Sequence, residues 1–416
     1  MPKPKATLLI QNASELVTVA SQGKALSGKN AGDVGIIPNG AVAMAGNRII
    51  SIGTTAQVLK QVDATDAEII DAAGKTVLPG FVDCHTHLVF AGSREDEVQL
   101  KAQGVPYLEI LKRGGGILKT VRQTRATTQS QLVQSAKKTL QTMLEYGTTT
   151  VEAKSGYGLD TKTEMKILDA ATAAAKASLV DVVNTFLGAH AVPQDQTAEQ
   201  YTKTVIEEMI PLASSRAEYC DVFCEKDVFS VDQSRRILQA GQKAGLKPRI
   251  HADQLHGTGG AELAAELKAV SADHLIHASA QGIQKMAQSG TVAVLLPATG
   301  LSSLLPYANA RAFIDAGVPV ALGTDFNPNC WCESMPFSIA LACRYLKLTP
   351  SEAIAAATIN AAASIDRAEK IGSLEPGKQA DVIVLDAPNH KFLAYQFGTN
   401  RVQTVVKKGK IVVNHA

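Results

Sequence analysis

Between about residue 76 and residue 322 the chain repeats one pattern eight times: an apolar run, a polar or glycine-bearing loop, and a segment with helical spacing. The intervening segments, such as 131–146 and 163–177, place apolar residues three and four positions apart, which is typical of helices. Strands that alternate with helices pair in parallel. The pattern therefore predicts an α/β protein with a (β/α)8 TIM-like barrel. The eight runs are 77–87, 148–152, 182–187, 220–224, 248–251, 270–275, 292–296 and 318–322.

The two ends of the chain have a different sequence pattern. Segments 8–19, 42–52 and 68–70 are short, strand-like and punctuated by Gly and Asn, and they leave no room for crossover helices. The tail repeats this sequence pattern in 380–385 and 402–413, where Lys408-Gly409 fits a hairpin turn. We expect both ends to build a small β-sandwich domain, residues 1–75 plus 374–416, that flanks a barrel domain of residues 76–373.

Composition narrows the class of protein. With 416 residues and 45% hydrophobic residues, the chain can bury a large core. Its 41 Lys and Arg against 39 Asp and Glu give a formal charge of +2, too small for an electrostatic nucleic-acid surface. The six cysteines are not spaced like a disulfide framework. No apolar run approaches the roughly 18 residues of a membrane span, and the apolar stretch near the N-terminus is too short for a signal-peptide core. We expect a cytoplasmic protein with no nucleic-acid or membrane partner.

Histidines and one carboxylate mark the ends of three predicted strands. Strand alternation puts His85 and His87 on the same face, about 6 to 7 Å apart along the strand. Taken alone, such a pair is as often a chance surface pair, but its position after a buried strand favours metal ligation. His251 ends the fifth run and Asp325 follows the eighth. Active sites of these barrels lie at the carboxyl ends of the strands. An Asp there is usually a cap or turn residue.

Taken together, these four side chains favour a mononuclear hydrolytic metal site. Imidazole ligands with one carboxylate suit zinc or iron. Such a metal lowers the pKa of bound water toward about 7, and Asp325 can both ligate and accept the proton. His274 and His190 also lie near strand ends. Each alone is more often a hydrogen-bonded structural histidine, but their shared location favours a role in the site.

A longer set of motifs resembles the amidohydrolase superfamily as it appears in imidazolonepropionases. The resemblance covers the whole predicted barrel in chain order, and a weaker, superfamily-wide signal follows in 377–386. It rests on segments 85–94 (HTHLVFAGSR), 114–117 with 120–122, 152–160 (EAKSGYGLD), 186–190, 251–253, 271–275 and 323–329.

The resemblance implies hydrolytic opening of 4-imidazolone-5-propanoate to N-formimino-L-glutamate, a step of histidine degradation, by a homodimer. It implies one Zn²⁺ or Fe³⁺ ion per chain, with His274 orienting or polarising the imidazolone carbonyl. Cys330, close to Asp325 in sequence, is expected to line the pocket. The implied metal ligands are His85, His87, His251 and Asp325. The implied substrate-binding residues are Arg94, Tyr107, Tyr157, His190, Gln254, Asn327 and Asn329.

One position departs from part of that family. Some members carry Glu three residues beyond the third histidine, whereas this chain has Gln254, which cannot ionise. Proton transfer then falls to Asp325 or His274. The fourth run, 220–224, contains no lysine, and Cys224-Glu225-Lys226 at its end offers no obvious lysine for the carbamate bridge of dinuclear relatives, which favours one metal.

Two other functions compete with this interpretation. A mononuclear deaminase of a heterocyclic substrate would use the same activated water. A non-catalytic scaffold would keep the barrel but lose ligands, whereas all four are present.

Overall fold

The computed structural model describes residues 2–105, 109 and 114–415. The first strands belong to an eight-stranded sheet at one end of the molecule. Strand β1 pairs antiparallel with β2 and parallel with both β4 and β5. It changes partner from β4 to β5 at a register shift that includes Asn12, whose φ of 60° bends the strand. These strands are β1 Leu8–Val17, β2 Ile36–Ala45, β3 Arg48–Thr54, β4 Glu68–Asp71 and β5 Thr76–Pro79.

The central part of the chain forms a second eight-stranded sheet whose neighbours are all consecutive and parallel. The first and last strands meet through backbone hydrogen bonds, from Asp325 N to His85 O at 3.0 Å and from His87 N to Phe326 O at 2.8 Å. This closes the predicted barrel. Its strands are β6 Phe81–Thr86, β7 Thr148–Lys154, β8 Asp181–Ala189, β9 Tyr219–Cys224, β10 Lys247–Ala252, β11 Ser271–His274, β12 Val292–Leu295 and β13 Val320–Leu322.

Helices follow the barrel strands and cover their outer face. Several helices begin with a capping box, as at Thr128 and Ser230. The hydroxyl of the N-cap residue accepts a hydrogen bond from the backbone N–H of the third helical residue, and the side chain of that residue accepts one from the backbone N–H of the N-cap residue. A π-helical turn, Val205–Met209, interrupts one of them. The α-helices of the described residues are Thr55–Gln61, Asp96–Ala102, Gly116–Ala126, Gln129–Glu145, Thr161–Lys176, Ala198–Thr204, Ile210–Ala213, Val231–Lys243, Gly260–Glu266, Ala280–Ser289, Pro297–Ser303, Ala310–Asp315, Met335–Tyr345, Pro350–Ala357, Ile359–Ala363 and Phe392–Tyr395.

The tail returns to the terminal sheet through β14 Val382–Leu385, β15 Val402–Lys407 and β16 Lys410–Asn414. Strand β14 pairs antiparallel with β5, so the two chain ends share one sheet. Lys408 and Gly409 both have positive φ, 51° and 74°, as the predicted tight hairpin turn requires. Buried residues from both chain ends pack together. Together with the closed parallel sheet, this confirms the predicted barrel with a small β-sandwich built from both termini. These buried residues are Leu8, Ile10, Val77, Val382 and Val406.

Two predicted strand runs were wrong in extent. Run 77–87 is two strands, β5 of the terminal sheet and β6 of the barrel, divided at Gly80. Because both strands are buried on both faces, the run has no change of periodicity that marks the break. Run 42–52 contains the end of β2, a turn at Gly46 and most of β3. None of the described helices is long and apolar enough to cross a membrane.

Candidate metal centre and active site

The four predicted ligands meet inside the barrel. His85 and His87 lie on and just after β6, His251 lies on β10, and Asp325 follows β13. The ring centroids of His85 and His251 are 4.6 Å apart. His87 lies 5.6 Å from each of these rings. Asp325 Oδ1 lies 3.5 Å from His85 Nε2 and 3.6 Å from His87 Nε2. The structure therefore gathers these side chains around His85: His85, His87 and Asp325 have ligand atoms within 4.8 Å of one another, and so do His85, His251 and His274.

The hydrogen bonds of the histidines fit a bound cation. His85 Nδ1 donates to Asp273 Oδ2 at 2.6 Å, and His251 Nδ1 donates to Asp221 Oδ1 at 3.1 Å. The Nε2 atoms of both rings are buried and have no hydrogen-bond partner among the described residues. Buried polar atoms without a partner require an explanation. A ring whose Nδ1 is held by a carboxylate, with Nε2 presented to one point, is the usual arrangement of a metal-binding histidine.

The charge state of the rings agrees with this arrangement. Burial, followed by the nearby Lys154 charge, holds the pKa of His85 well below its ordinary value. Burial, followed by His190, does the same for His87. The two imidazoles are therefore neutral at physiological pH. Neutral imidazole is the form that binds a metal ion.

Asp325 and His274 stand at strained backbone positions. Asp325 has φ 50° and His274 has φ 73°. Asp325 accepts from Asn327 Nδ2 at 3.0 Å and from the Thr299 hydroxyl. Burial raises the pKa of Asp325 to about 6 against these hydrogen bonds. The His274 ring lies 5.1 Å from His251. Residues held at positive φ concentrate at functional sites, because surrounding structure must hold them there.

His190 and Tyr157 form one wall beside the ligands. The His190 ring stacks on His87 at 4.7 Å with an interplanar angle of 11°. Its Nδ1 donates to Gly156 O at 3.1 Å, which leaves Nε2 as an acceptor. Burial lowers the pKa of His190 to about 3, so the ring is neutral. Tyr157 lies 5.3 Å from His190 and 5.5 Å from His87.

Arg94 is a member of a buried ion pair. Its Nε donates to Glu97 Oε1 at 2.9 Å, and its Nη2 donates to Glu97 Oε2 at 2.7 Å. Glu97 also accepts from Gly116 N at 2.7 Å. Arg94 was predicted from the family resemblance as a substrate-binding residue, and its pairing with Glu97 was not predicted. The spacing of three residues to an acidic side chain was the available signal.

The turn after β13 carries three further predicted residues. Asn327 Oδ1 accepts from the backbone N of Asn329 at 2.8 Å and of Cys330 at 3.0 Å. Cys330 is buried and its thiol lies 3.6 Å from Thr324 O. Lys101 Nζ donates to Asn329 Oδ1 at 2.5 Å. Sequence reasoning missed Lys101, although it stands four residues after Glu97 on the helix Asp96–Ala102, on the same face.

Gln254 lies in the loop after β10, three residues beyond His251. Glu225 at the end of β9 holds this loop by accepting from Leu255 N at 2.8 Å and from His256 Nδ1 at 2.9 Å. Asp253, with φ 51°, begins the loop. Tyr107 lies outside the described residues.

Sequence reasoning also missed the carboxylates behind the histidines. Asp221 and Asp273 are acidic residues inside buried strands, and an acidic residue inside a predicted strand is the signal that was available. A buried carboxylate requires a partner. Here the partners are His251 and His85.

Comparisons with known proteins agree with this site. Residues 76–412 match the family described as the amidohydrolase family. The chain is 51% identical over 410 residues to an imidazolonepropionase of Alkaliphilus oremlandii, covering 97% of each chain. It is 48% identical over 415 residues to an imidazolonepropionase of Geobacillus kaustophilus, covering 98% of each.

Two solved structures share the fold at lower identity. An adenosine deaminase from Xanthomonas campestris with bound zinc superposes with a TM-score of 0.75 at 18% identity, covering 100% of this chain and 94% of the other. The guanine deaminase of E. coli gives 0.74 at 15% identity, covering 98% and 99%. Family, fold and donor set together support a bound metal ion. Because it is about half identical to the two imidazolonepropionases over nearly its whole length, the chain belongs to the imidazolonepropionases of the amidohydrolase family.

Proposed function

We propose that this protein is a hydrolase that opens 4-imidazolone-5-propanoate to N-formimino-L-glutamate in histidine degradation. The observation that carries the proposal is the buried cluster of His85, His87, His251 and Asp325, in a chain about half identical to imidazolonepropionases over nearly its whole length. The unpartnered Nε2 atoms of two of these histidines are the donors that a hydrolytic metal site needs.

The four clustered side chains are the proposed ligands of one Zn²⁺ or Fe³⁺ ion. When bound, such an ion supplies a Lewis acid that lowers the pKa of water toward about 7. Asp325 accepts the proton of the attacking water, and its carboxylate is oriented for this by Asn327 and Thr299. His274 is neutral and donates a hydrogen bond to the ring carbonyl oxygen, where negative charge develops.

The reaction needs no redox partner. The water oxygen bonds to the ring carbonyl carbon, the bond from that carbon to the ring nitrogen breaks, and the proton moves to the departing nitrogen. Gln254 can orient water or a ring nitrogen but cannot act as a base. The proton therefore travels by Asp325 or His274.

The remaining residues position the substrate. His190, with its free Nε2 acceptor, and Tyr157 contact the ring. Arg94 and Lys101 are the proposed partners of the propanoate, and Lys101 donates to Asn329 in the turn that follows Asp325. Carboxylate recognition favours guanidinium and ammonium donors. Asn327 and Cys330 complete this side, and Tyr107 is the further family position.

We propose the same cellular setting as the sequence suggests. The substrate is a small molecule, and the protein acts as a cytoplasmic homodimer without a nucleic-acid or membrane partner. The formal charge of +2 supports the absence of a nucleic-acid surface.

A substrate panel tests the proposed activity. The purified protein, loaded with zinc or with iron, is given 4-imidazolone-5-propanoate and a set of heterocyclic amines. Loss of ring absorbance and release of ammonia are measured separately. We expect ring opening with formation of N-formimino-L-glutamate and no ammonia. Ammonia without N-formimino-L-glutamate would select the deaminase, and no turnover on any substrate would favour the scaffold.

A further inference from the structure

Five fully buried charged side chains lie behind the proposed ligands. They project from neighbouring barrel strands, and each has a side chain with no exposed surface. Charges are retained in a protein interior only when they are paired, because transfer out of water is costly. Two cations against three anions make this cluster compact and nearly balanced. Its members are Glu152, Lys154, Asp221, Arg249 and Asp273.

The ammonium group of Lys154 stands at the centre of the cluster. Lys154 Nζ lies 3.0 Å from Glu152 Oε1 and 2.9 Å from Asp221 Oδ2. It lies 3.4 Å from Asp273 Oδ2. A lysine ammonium has three N–H donors, and here three carboxylates surround it. Hydrogen bonds to Glu152 and Asp221 and the ion pair with Asp273 therefore hold the ammonium group in place.

Two of these carboxylates are the ones that hold the histidines. Asp221 Oδ1 accepts from His251 Nδ1 and from His251 N, both at 3.1 Å, while its other oxygen faces Lys154. Asp273 Oδ2 accepts from His85 Nδ1 at 2.6 Å. One ammonium thus contacts both carboxylates that set the orientation of two ligand rings.

We infer that Lys154 is a positioning residue for the metal site, acting through Asp221 and, to a smaller extent, through Asp273. The inference rests on the ligand set given under the proposed function. Asp273 has a second cation, because Arg249 Nη2 donates to it at 3.1 Å. Among the described residues, Asp221 has no Lys or Arg other than Lys154 within 4.0 Å. Loss of Lys154 therefore releases Asp221 more than Asp273, and the His251 ring loses its fixed orientation.

The test measures zinc affinity directly. Zn²⁺ is titrated into the metal-free full chain in competition with a chromophoric chelator. We expect Lys154→Met to weaken zinc binding about 10- to 100-fold, the scale of changes behind a metal ligand. The matched control is Lys407→Met, which removes a similarly buried lysine of the terminal sheet that contacts Asp181 at 2.8 Å and Asp381 at 2.7 Å. The control should lower the unfolding temperature but keep zinc affinity within about threefold.

A second pair of variants covers the case in which Lys154→Met does not fold. Asp221→Asn keeps Lys154 paired with Glu152 and Asp273, and the double variant Asp221→Asn with Lys154→Met leaves no unpaired charge at that contact. We expect both to bind zinc with affinities within about threefold of each other and below that of the unaltered protein. A further tenfold loss in the double variant would overturn the route through Asp221.

Two results separate the inference from the proposed function. Wild-type affinity in folded Lys154→Met would overturn the role of Lys154 while leaving the ligand set intact. An unaltered chain that binds no zinc would overturn the ligand set itself. Neither result depends on which substrate the enzyme turns over.

Discussion

Replacing Arg94, which pairs with Glu97, is expected to change both kcat/KM and the free energy of unfolding. The two side chains are almost fully buried and share two hydrogen bonds of 2.9 and 2.7 Å. If Arg94 anchors the propanoate, Arg94→Ala removes a charge-assisted hydrogen bond, which is worth about 2 kcal/mol or more in transition-state binding. That corresponds to a loss of roughly thirtyfold in kcat/KM. The same change removes Arg94 from the buried Glu97 carboxylate and lowers the free energy of unfolding by about 3 kcal/mol or more.

A double variant separates the two effects. Arg94→Ala with Glu97→Gln removes the stranded charge, so most of the stability returns while kcat/KM stays low. Lys119→Ala is the surface control, since the ion pair of Lys119 with Asp96 is partly exposed and worth about 1 kcal/mol or less. Steady-state kinetics, chemical denaturation and metal content are measured for each variant. Metal content should not change.

Two results would contradict the role of Arg94. Arg94→Ala with kcat/KM within threefold of the unaltered protein would show that Arg94 is not the carboxylate anchor. Full recovery of kcat/KM in the double variant would show that the loss came from the stranded Glu97.

Three further predictions concern Lys101, His274 and Asp181. Lys101→Met should raise KM about tenfold with little change in kcat, because it removes a charged partner of the propanoate, and unchanged KM in steady-state kinetics would contradict it. His274→Ala should lower kcat about a hundredfold or more at every accessible pH with the metal retained; near-normal kcat would leave proton transfer to other groups. Burial alone would raise the pKa of Asp181, but Lys407 and Lys408 lower it below 3.8. Asp181 therefore stabilises the fold above that value and loses this contribution on acidification, so Asp181→Asn should lose less stability than the unaltered protein between about pH 5 and about pH 3 in denaturation titrations.

Local patterns predicted the barrel and the meeting of the ligands. Alternation along one strand places His85 and His87 on one face, and parallel strands bring His251 and Asp325 to the same end. Such arguments need only the order of strands. They are independent of side-chain conformation, which is why they survive comparison with the structure.

The partners behind the ligands depend on information of another kind. Asp273 stands opposite His251 in the register of β10 and β11, yet its ring partner is His85 on a strand that is not its neighbour. Contacts across the barrel interior depend on closure and shear, which no single strand encodes. The break at Gly80 was missed because both strands that it separates are buried on both faces, so no change of periodicity marks it.

We propose that hydrolysis of 4-imidazolone-5-propanoate depends on one metal ion held by the three histidines and Asp325. The most direct measurement titrates Zn²⁺ or Fe³⁺ into metal-free protein while N-formimino-L-glutamate formation is recorded. We expect no turnover without metal and a linear rise in rate that ends at one ion per chain. Full activity in verified metal-free protein would contradict it.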